Sequence, residues 1–271
     1  MENSHSIKEL HARFLDMIKV FHSYCVENGL TYYMVGGTLL GAARENGFIP
    51  WDDDVDFAMP RPDYERFIKI CKKFRIESID KSHKFLYPYA KVFPLVDTIM
   101  YIKDDNWNID GTVFLSFDLY PLDGVGSDES LAKMHASKVQ QIRRLCYLNM
   151  TEDKSPCIFK RFFVQLLRTL PSHLLMKYQC RLMKKYKYNE SSYVTRWRMP
   201  ILSENIVPRD TFEPAVLLPF EDIKLFAPHR FDWYLRKVYG EYLNPVRENI
   251  GLRHDTKANY LSTNLSDYIK K

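Results

Sequence analysis

Gly36-Gly37-Thr38-Leu39-Leu40-Gly41-Ala42-Ala43-Arg44, followed by Ile49-Pro50-Trp51-Asp52-Asp53-Asp54-Val55-Asp56-Phe57, is the most informative stretch of this chain. Alternate side chains of a strand share a face. Asp54 and Asp56 therefore point the same way, while Val55 and Phe57 can enter a core. Asp52 extends the acidic row if the strand begins early enough. Carboxylates stacked on one face repel each other unless one keeps its proton or a cation lies between them. A hard divalent ion such as Mg²⁺ or Mn²⁺ removes the conflict, so Asp52, Asp54 and Asp56 are candidate metal ligands.

The preceding apolar run, Leu30–Val35, reads as a strand, and Gly36-Gly37 breaks it. Glycines there let backbone N–H groups approach a phosphate closely. A helix over Thr38–Glu45 would point its positive end at the same place. Gly36, Gly37 and Thr38 are thus candidate phosphate contacts, and a phosphate cradle beside an acidic strand is the layout of phosphoryl transfer. A calcium loop fits poorly, because Phe57 stands where an EF-hand needs glycine. Either feature alone would also suit a solvated turn.

Working outward, Ser6-x-x-Glu9 has the form of a capping box, and Ile7, Leu10, Phe14, Met17, Ile18, Phe21 and Cys25 recur at helical spacing. The pattern predicts a helix over Ile7–Glu27. Asp54–Met59 reads as a strand, and Pro62 suits the first turn of a helix running to about Lys73. Strands are expected near Tyr87–Phe93, Leu95–Ile102 and Val113–Leu119, then a helix over Ser127–Leu148. Ile158–Tyr188 is helical and basic, interrupted at Pro171. Strands near Ala215–Phe220 and Ile223–Phe226 precede a helix over His229–Tyr239, which Gly240 stops. These elements predict one mixed α/β domain over residues 1–271, with a helical insertion at about 127–190.

Composition narrows the function. The 271 residues are 46% hydrophobic and 14% aromatic, which suits a sizeable core. A net charge of +5 is low for a nucleic-acid binder. The positive excess is local, with Lys160, Arg161, Arg168, Lys177, Arg181, Lys184, Lys185 and Lys187 in one stretch. The five cysteines show no C-x-x-C spacing, so reduced thiols in a cytosolic setting are expected. The N-terminus has no signal-peptide core, and no apolar run reaches the roughly 20 residues a membrane span requires. A cytoplasmic protein, free or at the inner face of the membrane, is the expectation. Ile158, Phe159, Phe162, Phe163, Leu166, Leu167 and Leu170 form an apolar stripe beside Lys160, Arg161 and Arg168. Residues 158–170 therefore suit either an interfacial helix or an amphipathic helix packed on the core.

The run from Tyr33 to Tyr64, YMVGGTLLGAARENGFIPWDDDVDFAMPRPDY, closely resembles the LicD family, whose relatives include fukutin and fukutin-related protein. The resemblance takes in Phe117–Gly124 and resumes in Pro219–Asp222, Tyr234-Leu235 and Val238–Gly240. It implies a nucleotidyltransferase-like fold, in which a mixed sheet carries Gly-Gly on one strand, an acidic pair on the next and a third carboxylate on a later one. Asp54 and Asp56 match the pair. Asp118 best matches the third, as catalytic residue and metal ligand, with Asp123 the less favoured choice. The long stretch between Gly37 and Asp54 departs from the superfamily pattern and leaves the role of Asp52 open.

The implied activity is metal-dependent transfer of phosphocholine from CDP-choline to a sugar hydroxyl of a cell-surface glycan or lipopolysaccharide. Transfer of phosphoribitol or phosphoglycerol by the same fold is the alternative. A catalytically idle binding protein is a third reading, against which the intact acidic triad argues. Arg44 and Lys91 are candidate phosphate partners. Trp107, Tyr120, Trp197 and Trp233 could face a choline ammonium.

Overall fold

The computed structural model describes residues 5–82, 84–96, 98–104, 109–150, 158–197 and 205–243. It is a mixed α/β structure whose residues group into two compact units. The first comprises residues 1–76, 91–120 and 210–271, and the second comprises 77–90 and 121–209.

In the first unit, helix α1 (Ile7–Glu27) has the expected bounds. Ser6 Oγ accepts from Glu9 N–H, and Glu9 returns a bond to Ser6 N–H at 2.7 Å, closing the capping box. All seven apolar positions named above are buried. Strand β1 (Tyr33–Met34) is shorter than the apolar run suggested, because only these residues pair antiparallel with β2 (Asp56–Pro60). Between them, helix α2 spans Gly36–Glu45. It takes in both glycines instead of starting at Thr38. Gly36 makes this possible by adopting φ +62°, where a side chain is disfavoured. Gly36→Ala is expected to cost about 1–2 kcal/mol of stability, read as a lowered urea midpoint at unchanged slope. An unchanged midpoint would show that the turn tolerates a β-carbon.

Helix α3 (Arg61–Ile70) follows with Pro62 in its first turn. Strands β3 (Arg75–Glu77) and β4 (Ala90–Phe93) come next, then the antiparallel hairpin of β5 (Ile99–Asp104) and β6 (Ile109–Phe114). Strand β7 (Phe117–Gly126) passes from the first unit into the second. The apolar run at 113–119 is therefore not one strand. Val113 pairs with Met100 in the hairpin, and Phe117 opens a strand of the main sheet. Composition does not mark such a change of sheet. The main sheet has the order β1-β2-β7-β4-β3.

An aromatic cluster fills this unit's core. Phe21 lies 4.8–5.5 Å from the rings of Tyr32, Phe57, Phe67 and Phe117, all buried. Burying each large side chain contributes roughly 1.5–3 kcal/mol, and the edge and tilted ring pairs add to it.

The second unit contains helices α4 (Glu129–Met150), α5 (Ile158–Leu167) and α6 (Ser172–Met183), with Pro171 dividing the last two. It also holds short strands β8 (Tyr193–Arg196) and β9 (Ile206–Pro208). These two were not foreseen. They are four and three residues long, and β8 is specified by antiparallel pairing with Leu122–Gly126 of β7. Val125, Ala132, Ala136, Val139, Met183, Trp197 and Ile206 form its core. On α5, Val164 and Leu167 are buried whereas Phe162, Phe163 and Leu166 are exposed.

Back in the first unit, strands β10 (Val216–Phe220) and β11 (Ile223–Ala227) make a hairpin, and helix α7 (Phe231–Tyr239) ends at Gly240. Among the described residues no helix is long and apolar enough to cross a membrane.

Candidate active site

The strand expected over Asp54–Met59 begins two residues later than the alternation suggested, so of the two carboxylates only Asp56 lies on it. Residues 52–55 lie outside any strand, and β2 starts at Asp56. Asp52 and Asp54 are half-buried; Asp53 and Asp56 are buried. The neighbouring backbone is that of Asp118, whose N–H donates to the carbonyl of Val55 at 2.9 Å. Adjacent strands lie about 4.8 Å apart, so the position carrying Asp118 is beside the segment carrying Asp54 and Asp56. On β7, Phe117 and Leu119 are buried while Asp118 and Tyr120 are half-buried, which sets the last two on the partly open face.

Lys91, on β4, places Nζ 2.7 Å from Asp118 Oδ1. The Tyr120 hydroxyl donates to Asp118 Oδ2 at 3.3 Å. Two residues singled out separately, Lys91 and Asp118, are thus one ion pair across neighbouring strands. Asp123, the alternative third carboxylate, has a different setting. It is 1% exposed in the second unit and accepts from the Trp197 indole N–H at 2.7 Å.

The start of α2 abuts the acidic run. A β-carbon on Gly37 would collide with the Asp52 carboxylate, so Asp52 lies against the positive end of that helix. The Thr38 hydroxyl accepts from Asp56 N–H at 2.8 Å and ties helix to strand. Arg44 sits about 9 Å beyond Thr38 along α2 at 1.5 Å per residue. There Nε meets Glu45 Oε1 at 2.7 Å, and Nη1 reaches the Tyr242 carbonyl at 3.4 Å. It belongs to the opposite end of the helix from Gly36-Gly37.

Two residues without a predicted role hold this region. His11, on α1, donates from Nε2 to the Asp52 carbonyl at 2.8 Å and stacks on Phe48 with centroids 4.4 Å apart. Burial pushes its pKa below the ordinary value, against the opposing pull of that hydrogen bond and of Glu221 and Asp53. Glu221, at the β10–β11 turn, accepts from Phe48 N–H at 3.0 Å, while its own N–H donates to the Asn46 carbonyl at 2.7 Å. Together they fasten the loop between α2 and the acidic run. The Pro219–Asp222 resemblance touched Glu221 without a role, and nothing local in α1 distinguishes His11 from a surface histidine.

Of the four candidate aromatics, Trp107 lies outside the described residues. Trp197 is core, and Trp233 already has Arg230 and Lys237 over its ring at 4.7 and 5.1 Å. Tyr120 stands at the acidic site.

Among the described residues no three His, Cys, Asp or Glu side chains form a metal-holding group. The donors nonetheless suit a hard ion. Mg²⁺ usually takes one or two carboxylates and completes its shell with water and substrate phosphate oxygens. Asp54 and Asp56 are the residues that would supply such a pair, and Asp118 is engaged by Lys91.

Residues 29–125 match the LicD family, described as the LicD/FKTN/FKRP nucleotidyltransferase domain. Over 274 aligned residues the chain is 24% identical to the lipopolysaccharide cholinephosphotransferase LicD of Haemophilus influenzae, covering 94% of this chain and 98% of that protein. It is also 31% identical over 107 residues to an uncharacterized protein of Rickettsia typhi, covering 40% of this chain and 33% of that one. The matched segment contains Gly36, Gly37, Asp54, Asp56, Lys91 and Asp118, and the likeness to the Haemophilus protein extends over nearly the whole length: residues 29–125 of this chain are a LicD-type domain.

Proposed function

We propose that the chain transfers phosphocholine from CDP-choline to a sugar hydroxyl of lipopolysaccharide or a similar cell-surface glycan, through a nucleotidyltransferase-type site that uses Mg²⁺ or Mn²⁺. The observation that supports the reading is the hydrogen bond from Asp118 N–H to the Val55 carbonyl, which brings the Asp118 backbone beside the Asp54–Asp56 segment. The likeness to a lipopolysaccharide cholinephosphotransferase supports the choice of substrate class.

Asp54 and Asp56 would hold the ion. When bound, it supplies charge neutralisation at the pyrophosphate and the departing CMP. The chain's own groups do the rest. Backbone N–H groups at the start of α2 receive the donor phosphates. Thr38 keeps that helix in register with β2 through its bond to Asp56 N–H. The acceptor hydroxyl oxygen attacks the choline-bearing phosphorus, the bond from that phosphorus to the CMP oxygen breaks, and Asp118 takes the hydroxyl proton. Lys91 and Tyr120 keep the Asp118 carboxylate facing the site.

The donor is tested by calorimetric titration with CDP-choline, CDP-ribitol and CMP in Mg²⁺. A choline pocket must hold a cation that donates no hydrogen bond, which aromatic faces do at about 0.5–2 kcal/mol per contact. A ribitol pocket would leave its polar groups unpaired with choline. CDP-choline is expected to bind about tenfold more tightly than CMP. Binding of CDP-choline no tighter than CMP, with CDP-ribitol tighter than both, would replace phosphocholine by phosphoribitol and leave the phosphotransferase standing.

A further inference from the structure

Helices α5 and α6 each have two apolar faces. Val164 and Leu167 of α5, and Met176 and Met183 of α6, are buried, and both helices pack on α4. Away from that core Phe162 is 71% exposed, Leu166 59%, Leu174 54% and Tyr178 48%. A spacing of four residues keeps Phe162 and Leu166 on one side of α5, and Leu174 and Tyr178 on one side of α6. Leu170, in the turn between the helices, is exposed as well. Exposed apolar side chains grouped on one side of each of two neighbouring helices mark an interaction surface.

The pair of helices is held in one arrangement. Asn149, buried on α4, donates from Nδ2 to the carbonyls of Leu167 at 2.8 Å and Leu170 at 3.0 Å, and its Oδ1 accepts from Ser172 Oγ at 2.6 Å. One carboxamide thereby closes the end of α5 and fastens the beginning of α6. The exposed apolar residues are presented by a pinned hairpin.

Charge identifies the occupant. Residues 158–187 contain eight Lys or Arg and no Asp or Glu, against a net +5 for the entire chain, so the rest of the molecule is net negative. Arg161, Arg168, Lys177 and Arg181 are exposed. Lys177 and Arg181 follow Leu174 by three and seven residues, which sets them on its side of α6. A second copy of this face would bring cation against cation, and the cores of protein interfaces exclude Lys. We propose that the α5–α6 hairpin seats on an anionic lipid surface, with Phe162, Leu166, Leu170 and Leu174 entering the headgroup boundary and the flanking cations meeting lipid phosphates. This seat does not depend on which donor or acceptor the acidic site uses.

Vesicle sedimentation tests it. The full chain should pellet with phosphatidylcholine vesicles containing roughly one-third phosphatidylglycerol, far less with pure phosphatidylcholine, and less again as salt rises. Phe162→Glu with Leu166→Glu should return the protein to the supernatant with its circular dichroism unchanged. Arg161→Gln, Lys177→Gln and Arg181→Gln together should lower partitioning about a hundredfold, independently of the apolar change. Failure of the wild type to pellet, or undiminished pelleting of the glutamate variant, overturns the proposal. So does a dimeric wild type that the glutamate variant renders monomeric in light scattering, which would make this face a self-interface.

Discussion

Asp54→Asn is expected to lower CMP release from CDP-choline by at least about a thousandfold, roughly 4 kcal/mol of transition-state stabilisation, while the chain folds as before. The amide keeps the size of the carboxylate and removes the charge that a divalent ion needs. Asp54 is half-buried and lies outside the β2 ladder, so the exchange leaves the β1–β2 pairing of Tyr33 with Ala58 and Met34 with Phe57 intact. Two readouts separate a lost metal from a lost fold. The urea midpoint should stay near that of the wild type, and Mn²⁺ binding by calorimetry should weaken by at least tenfold. A folded variant with near wild-type CMP release would remove Asp54 from the metal site.

The second large effect separates two carboxylates that are close in sequence and different in setting. Asp118→Ala should reduce turnover by about a hundredfold or more and should cost stability as well, because its ion-pair partner Lys91 is only 16% exposed. Asp123→Ala should spare turnover. It strips the buried Trp197 indole of its acceptor, so stability should fall by about 1–3 kcal/mol, while the folded fraction turns over at a rate close to wild type. Kinetics at a temperature where both variants are folded, set beside their melting curves, decide the matter. If Asp123→Ala proved the slower enzyme, the third carboxylate would be Asp123.

Part of the fold around the candidate site was legible because its signals are local. The strand that carries Asp56 follows from its own apolar residues, whichever sheet receives it, whereas Asp54 and Val55 stand before its first pairing. The capping box of α1 and its seven buried positions lie within one helix, so propensity and periodicity converge there. The Gly36-Gly37 turn was legible as a break, yet its outcome was not. Only the left-handed conformation at Gly36 shows that the break is the first turn of α2. The division of the apolar run at 113–119 was hidden for a related reason, since strand composition is alike in a hairpin and in a main sheet.

By itself the sequence determined the family resemblance, the helix α1, the acidic row with its glycine turn, and the basic, acid-free stretch at 158–187. All of these are carried by neighbours along the chain. Tertiary structure alone decided which carboxylate stands beside the acidic row, because strand order is a property of the whole sheet and Asp118 is far from Asp54 in sequence. It alone joined Lys91 to Asp118, withdrew Asp123 and Trp197 into the second unit's core, and set His11 and Glu221 around the acidic loop. It also decided which side of α5 is buried. Helical period specifies that a face exists, but only packing on α4 determines that Val164 and Leu167 turn inward and Phe162 and Leu166 are left outside.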